Sequence, residues 1–181
     1  MTVANSARST APQFARKHAA DPVLQITGLV DEPVQLRPAD LVHLPRLPFT
    51  GSISCLERGA IPDTEWHGMP LDQLVALARP AAGARYVRVC AGPYCVPVAM
   101  EDTRGALICD SLRGEPLPVE RGGPWRLIVP GSTYYAAVKW VNALEITAEL
   151  PDNSAERLAE SRTRARLARQ RRSLDVRTPQ G

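Results

Sequence analysis

Proline is the residue that most limits what this chain can fold into. The 181 residues include 17 prolines, and each proline removes a backbone donor and disfavours the interior of a helix. The chain is long enough for one domain with its own hydrophobic core. Its hydrophobic fraction of 44% and charged fraction of 23% are those of a globular protein. We therefore expect short strands and loops, rather than long helices, over most of the chain.

Hydrophobic spacing predicts several strands. The segments with this spacing are residues 24–28, 52–55, 86–91 and 127–129. In the second of them polar and apolar residues alternate, which places Ile53 and Cys55 on one face. The run at 127–129 is continuously apolar and is bounded by Pro130 and Gly131. Such a run is typical of a strand that is buried on both faces.

Two further segments complete the expected fold class. Pro70 precedes apolar residues at helical spacing, which predicts a helix that ends before Pro80. Apolar residues also recur at even positions in a further run, with Lys139 on the opposite face at its start; they are Val138, Trp140, Leu144 and Ile146. Strands that dominate over one or two helices indicate the α+β class with a mainly β core.

Composition divides the chain into three parts. Residues 1–21 are small, polar and basic, and we expect a flexible N-terminal arm. Residues 22–149 form the predicted folded domain. Residues 150–181 form a basic tail, helical or disordered, with helix-capping candidates at positions 152–154. Eight arginines and three acidic residues lie between Glu156 and Arg177, whereas the whole chain carries only +3, so the remainder is slightly acidic.

The sequence shows neither a membrane span nor a secretory signal. No run of about 18 apolar residues is present, and the N-terminus lacks an apolar signal core. We therefore expect a cytoplasmic location, in which the cysteines are free or metal-binding rather than disulfide-bonded. The four cysteines are Cys55, Cys90, Cys95 and Cys109. No paired Cys/His motif completes a tetrahedral set, so no zinc site is predicted.

The motifs, taken in order, resemble the molybdopterin-binding domain of the sulfite oxidase family. The carrying residues are 26–30, Pro33, 40–41, 44–45, Cys55, 66–71, 113–118, 122–131 and 138–140. The resemblance covers about residues 22–149. It implies a sulfite-oxidase-type fold, α+β with a mainly β core and short helices, and a molybdenum–molybdopterin cofactor.

The resemblance assigns the metal ligand to Cys55. A thiolate is a soft, strongly donating ligand, and coordination to a metal deprotonates it. Without the resemblance, Cys55 is better explained as a buried structural cysteine. Tyr94 matches a tyrosine near the metal's oxo group, where a phenol can hydrogen-bond and relay a proton. The alternative for Tyr94 is a packed turn residue.

The resemblance also implies a group of cofactor-binding residues. Besides Cys55 they are Arg121, Arg126, Ala137, Val138 and Lys139. A pterin that ends in a phosphate needs guanidinium, ammonium and backbone donors. The alternative for the cations is a solvated surface charge, but Arg126 precedes the most apolar strand, where an unused charge is costly.

Two features depart from the family pattern. Longer relatives carry His or Asn where this chain has Arg121. They also bind the cofactor with an Arg-Asn-His segment that lies further upstream of the first strand. In this chain the similar residues Arg16, Lys17 and His18 lie closer to that strand. We do not carry that role over, and we expect a minimal single-domain member without the dimerisation and haem domains of longer relatives.

The expected function is that of an oxidoreductase, in which the cofactor supplies the redox chemistry. The family implies oxygen-atom or two-electron transfer on a small sulfite-like or sulfoxide-like substrate, together with an electron-transfer partner. Sulfite needs a cationic pocket, for which Arg58 and Arg88 are candidates. The alternative is a cofactor-free binding module that retains the fold without catalysis. Nucleic acid is a less favoured partner, through the arginine-rich tail.

Overall fold

The computed structural model describes the backbone of residues 11–55, 59–132 and 136–175; side chains at positions 52, 54, 55, 59–63 and 170–175 lie outside that description. The described helices are Gln13–Ala20 (α1), Leu71–Ala76 (α2) and Ser154–Asp175 (α3). The described strands are Leu24–Gly28 (β1), Val34–Leu36 (β2), Leu47–Cys55 (β3), Gly59–Pro70 (β4), Tyr86–Ala91 (β5), Tyr94–Ala99 (β6), Leu107–Leu112 (β7), Glu115–Pro116 (β8), Arg126–Ile128 (β9) and Ala143–Thr147 (β10). Short 3-10 turns lie at Pro38–Leu41, Met100–Gly105 and Val119–Arg121.

The strands form two five-stranded sheets. The first sheet has the order β2-β1-β10-β5-β6, in which β1 and β10 are parallel and the other neighbours antiparallel. The second sheet has the order β3-β4-β7-β8, and β9 also pairs with β7. This architecture, mainly β with short helices in the body, confirms the predicted class.

The central strands of the second sheet, β4, β7 and β9, have residues buried on both faces. One hydrophobic cluster joins it to α2 and to the first sheet, from which β1, β5 and β10 contribute Ile26, Val89 and Leu144. A second cluster covers its opposite face and contains Ile53, Trp66, Leu107, Cys109, Leu117 and Ile128. Leu127 belongs to the first cluster and Ile128 to the second. The prediction of a strand buried on both faces is therefore confirmed for β9.

Other local predictions agree with the structure. Strands β1 and β5 have the predicted bounds, and residues 52–55 form the end of β3, where Ile53 is buried. Helix α2 begins after Pro70 and buries Leu71 and Leu74. Hydrophobic spacing was sufficient to predict these elements because each of them has one face against the core.

The expectation of a flexible N-terminal arm over residues 1–21 is wrong for its second half. Residues 13–20 form α1, in which Ala15 is fully buried. The Phe14 ring packs edge-on against Trp140, with centroids 5.8 Å apart, and the His18 ring lies 5.6 Å from that of Trp125. These aromatic contacts order a segment whose small and basic composition suggested no core contact.

The expectation of a strand beginning at Val138 is also wrong. Strand β10 begins only at Ala143. The Val138 N–H donates to the Ala136 carbonyl, and Trp140 has a left-handed backbone with φ of 61°. The chain therefore turns through this segment, although its apolar residues have the even spacing of a strand.

Two cysteines that were expected to be free form a disulfide. Cys90 on β5 and Cys95 on β6 are direct cross-strand partners, with Cα atoms 4.2 Å apart, and their sulfurs are bonded. Side chains at opposed positions of an antiparallel pair lie on the same face and close together. Because this pair is oxidised, the cysteines give no support to a cytoplasmic location and cannot ligate zinc as thiolates.

The basic tail forms α3 over 22 residues. The Asn153 side-chain oxygen accepts the Glu156 N–H at 3.1 Å, which caps the helix within the predicted positions. The Ser154 hydroxyl donates to the Pro93 carbonyl and accepts from the Cys95 N–H. These bonds hold the start of α3 against the turn between β5 and β6. Among the described helices, none combines the length and apolar character that a bilayer-crossing helix needs.

Cysteine labelling tests the disulfide directly. Under denaturing but non-reducing conditions, Cys90 and Cys95 should resist alkylation by iodoacetamide, because neither carries a thiol. Peptide mass mapping should recover them as one linked species, with Cys109 labelled as the control. Labelling of Cys90 and Cys95 without reductant would contradict the bond.

Candidate cofactor site

Three segments meet at the start of strand β9. The Leu127 N–H donates to the Val138 carbonyl at 2.8 Å, which joins β9 to residues 136–140. The Trp140 N–H donates to the Gly122 carbonyl at 3.0 Å, which joins the same residues to the turn at Val119–Arg121. All the predicted cofactor-binding residues except Cys55 are therefore brought together, although 12 positions separate Arg126 from Val138.

Arg126 is the buried cation of this cluster. It is 2% exposed, and its Nη1 donates to the Arg121 carbonyl at 2.9 Å. Its guanidinium carbon lies 5.1 Å from the ring centroid of Trp66 on β4. A cation–π contact and a charge-assisted hydrogen bond each offset part of the cost of removing the charge from water. Arg126 thereby sets the position of the turn that carries Arg121.

Lys139 lies on the other side of the same turn. Its ammonium nitrogen is 3.4 Å from the Glu120 carbonyl oxygen and 5.5 Å from the ring centroid of Trp140. Gly122 has φ of 108°, and a Cβ added to it would come within 2.9 Å of the Lys139 Cγ. The glycine therefore makes the backbone turn and also leaves room for the Lys139 stem.

Ala137 and Val138 contribute mainly through their backbone. Val138 is fully buried, and the Ala137 methyl packs against the second hydrophobic cluster. Neither side chain carries a polar group. Any bond from these two residues to a ligand therefore comes from the main chain.

Cys55 ends strand β3, opposite Gly59 on β4. The pairing register shifts between Gly51 and Ile53, and bulges of this kind often re-aim side chains beside functional sites. Ile53 lies in the same cluster as Trp66, and Ala137 packs against that cluster. The Cys55 side chain itself lies outside the described residues, so its role as metal ligand stays a prediction.

Cys109 is the other cysteine outside the disulfide, and its surroundings disfavour a thiolate. Burial raises the pKa of Cys109 to about 12; the charge of Asp110 acts in the same direction and that of Arg126 opposes it. Cys109 is therefore protonated at neutral pH and is neither a reactive nucleophile nor a ready metal ligand. Among the described residues, no three His, Cys, Asp or Glu side chains gather as a metal site.

Tyr94 begins β6 on the first sheet, opposite Ala91. A single residue, Asn142, connects its hairpin to the Lys139 segment. The Asn142 N–H donates to the Cys90 carbonyl at 2.9 Å, and its side-chain oxygen accepts the Gly92 N–H at 3.2 Å. Tyr94 is half-buried against the first hydrophobic cluster. Its catalytic role stays a prediction.

Several residues beside the site were not predicted from the sequence to take part in it. Trp66 and Trp140 lie within the family-like motifs, but only the structure shows that their rings contact Arg126 and Lys139. His18 belongs to the segment whose family role is not carried over. Its Nε2 donates to the Val141 carbonyl at 3.0 Å, and burial lowers its pKa while that hydrogen bond opposes the shift. The N-terminal helix therefore adjoins the site.

A family model described as "Oxidoreductase molybdopterin binding domain" matches residues 11–155. The chain belongs to this family. The matched range includes α1 and reaches the first turn of α3. Membership establishes a molybdopterin-binding oxidoreductase domain, in agreement with the resemblance and with the cations gathered beside β9.

Relatives and solved structures give the same assignment. The NADPH nitrate reductase of Fusarium oxysporum is 27% identical over 158 residues, which cover 71% of this chain and 18% of that protein. The uncharacterised oxidoreductase YuiH of Bacillus subtilis is 28% identical, over 70% of this chain and 65% of its own length. The crystal structure of the sulfane dehydrogenase SoxCD from Paracoccus pantotrophus superposes with a TM-score of 0.65 at 28% identity, covering 71% of this chain and 38% of that one. The chain thus spans about a fifth of the nitrate reductase.

Gly122 provides a test of the turn. Gly122→Ala should lower the free energy of unfolding by about 1–3 kcal/mol, because an L-residue is strained at this φ and its Cβ meets Lys139. Urea unfolding measures the change. Gly105→Ala is the matched control, because nothing lies within 4 Å of its added Cβ. Equal losses in both variants would contradict the assigned geometry.

His18 makes the stability depend on pH. Its folded-state pKa lies below the ordinary 6.5, so the unfolded chain binds the proton more readily. The stabilisation is present above pH 6.5 and is lost as the pH falls through 6.5 towards the lowered value. His18→Gln should flatten the unfolding free energy over that range in urea titrations. A wild-type profile with the same slope as that of His18→Gln would contradict the burial of His18.

Proposed function

We propose that this chain is a molybdenum-cofactor-dependent oxidoreductase that performs oxygen-atom or two-electron transfer on a small substrate. The observation that carries the proposal is that the segments carrying Arg121, Arg126 and Lys139 meet at Gly122. Three cations on adjoining segments suit a large anionic cofactor with a terminal phosphate. Arginine forks bind phosphate in a directed way, and lysine adds a point charge.

The proposed roles follow from the chemistry of each group. The Cys55 thiolate would ligate the metal, and the three cations and the Ala137 main chain would hold the pterin. Val138 would hold that segment in place through its main-chain bonds to Ala136 and Leu127. When bound, the cofactor supplies the two-electron redox chemistry. Tyr94 donates a hydrogen bond or carries a proton near the reacting atoms. The protein's remaining task is to position these groups and to control the access of water.

The substrate is proposed to be a small sulfite-like or sulfoxide-like molecule. The sulfane dehydrogenase among the solved relatives supports sulfur chemistry, whereas the nitrate reductases support an oxyanion. Of the two candidate pocket cations, Arg88 is paired with Glu145 on the neighbouring strand at 3.0 Å. Arg58 lies outside the described residues. Because Arg88 is paired with Glu145, it gives no support for an anionic substrate.

Two electrons must leave or reach the site in each turnover, so an electron-transfer partner is part of the proposal. Nucleic-acid binding through the arginine-rich tail stays a prediction. A cytoplasmic location also stays a prediction, and the Cys90–Cys95 disulfide is more typical of an oxidising compartment.

Metal analysis tests the proposal. The full chain, expressed in a molybdenum-replete host that makes the pterin, should contain about one molybdenum per protein, the ratio that a single cysteine ligand implies. Cys55→Ala should lose most of the metal while its far-UV circular dichroism is unchanged. Inductively coupled plasma mass spectrometry gives the stoichiometry.

Cys109→Ala is the matched cysteine control and should retain molybdenum, because Cys109 is protonated and buried. A folded wild type that contains neither molybdenum nor pterin would contradict the proposal and favour a cofactor-free binding module. Metal retained equally in Cys55→Ala and wild type would remove Cys55 from the site.

A further inference from the structure

Trp140 has an unusual backbone for a large aromatic residue. Its φ of 61° lies in the left-handed region, which L-residues other than glycine, asparagine and aspartate rarely occupy. Such a conformation is strained and persists only where the surroundings impose it. Strained residues of this kind concentrate at functional sites, so the conformation at Trp140 requires an explanation.

Three contacts hold Trp140 in this conformation. Its N–H donates to the Gly122 carbonyl at 3.0 Å, and its indole Nε1 donates to the Val119 carbonyl at 2.6 Å. The Phe14 ring of α1 meets the indole edge-on, with an interplanar angle of 87°. Hydrogen bonds and aromatic pairs of this kind are stabilising. Together these contacts oppose the backbone strain.

The strained turn changes where the Lys139 ammonium lies. In an extended strand, neighbouring side chains point to opposite faces. Here the Lys139 ammonium instead lies 5.5 Å from the centroid of the adjacent Trp140 ring. The same indole is bonded to the turn that carries Arg121. The turn at Trp140 therefore places the Lys139 charge against the Glu120 carbonyl, in the turn at Val119–Arg121, on the side of the indole.

Helix α1 contacts both Trp140 and the residue that follows it. Phe14 contacts the indole itself, and His18 donates to the carbonyl of the following residue, Val141. The two residues are four apart and so lie on one face of the helix. An N-terminal segment thereby fixes a loop that lies more than 120 residues later in the chain.

We propose that Trp140 is a positioning residue: its left-handed backbone and its ring hold the Lys139 ammonium against the turn that carries Arg121. There the ammonium binds the anionic end of the cofactor, and α1 acts on cofactor retention through Trp140. The inference rests on the proposed function for the identity of the ligand. The position of Lys139 is independent of that function and can be measured without any cofactor.

Lys139 can be observed directly because the chain contains only one other lysine, the exposed Lys17. Reductive methylation with [13C]formaldehyde retains the charge and gives each lysine a carbon-13 NMR signal. Ring currents should shift the proton signal of Lys139 upfield of that of Lys17. Trp140→Gly should abolish the shift, and Trp140→Phe should retain part of it. Coincident lysine signals in the wild type would overturn the proposal, whatever the protein binds.

Cofactor retention supplies the second measurement, on the molybdenum-loaded full chain during dialysis. Trp140→Gly should release molybdenum about tenfold faster, which is the size of effect expected for residues that support a ligand-binding side chain. In a Lys139→Met background the same change should add less than twofold, because Trp140 acts through Lys139. Equal effects in both backgrounds would show a merely structural role and overturn the proposal.

Arg79→Gly is the matched control, since Arg79 also has a positive φ, of 51°, in the turn after α2. It should change neither the lysine signals nor molybdenum release. If the wild type contains no molybdenum, the proposed function is overturned, and so is the inferred effect of Trp140 on cofactor retention. An unshifted Lys139 signal in a molybdenum-containing protein would overturn the positioning role alone.

Discussion

The candidate site depends on the complete burial of strand β9. Leu127 and Ile128 enter hydrophobic clusters on opposite faces of the second sheet, and burying each contributes about 1.5–3 kcal/mol. A strand anchored on both faces cannot shift to expose the residue at its start. Arg126 is therefore kept 2% exposed, and its charge is stabilised locally by the Trp66 ring and the Arg121 carbonyl. The apolar core thus holds a cation inside the protein, next to the turn that carries Arg121.

From this strand the structure extends through hydrogen bonds of the main chain. The Leu127 N–H binds the Val138 carbonyl, and the Trp140 N–H binds the Gly122 carbonyl. Asn142 then bonds to the hairpin that carries Tyr94. Main-chain bonds between buried segments are geometrically restrictive, because an unpaired buried donor or acceptor is costly. Two sheets and a remote helix are in this way joined around one loop.

Local patterns predicted the elements that have a single buried face, such as β1, β5 and α2. They failed where a contact from a distant part of the chain decides the conformation. The even spacing from Val138 is that of a strand, but the contacts of Trp140 with Gly122 and Phe14 turn the chain. The composition before residue 21 suggested no order, yet Ala15 is fully buried. Cys90 and Cys95 are paired by strand register, which residue spacing alone does not reveal.

The sequence by itself determined the family, the mainly β class and the residue types that the cofactor needs, because these follow from short motifs and local periodicity. Arg121, Arg126 and Lys139 could be named from those motifs alone. Only the tertiary structure decided that the segments carrying them meet at Gly122, that Trp66 lies against Arg126 and Trp140 against Lys139, and that α1 adjoins this loop. The physical reason is that each of these arrangements depends on contacts between segments far apart in the chain. Local periodicity cannot encode such contacts.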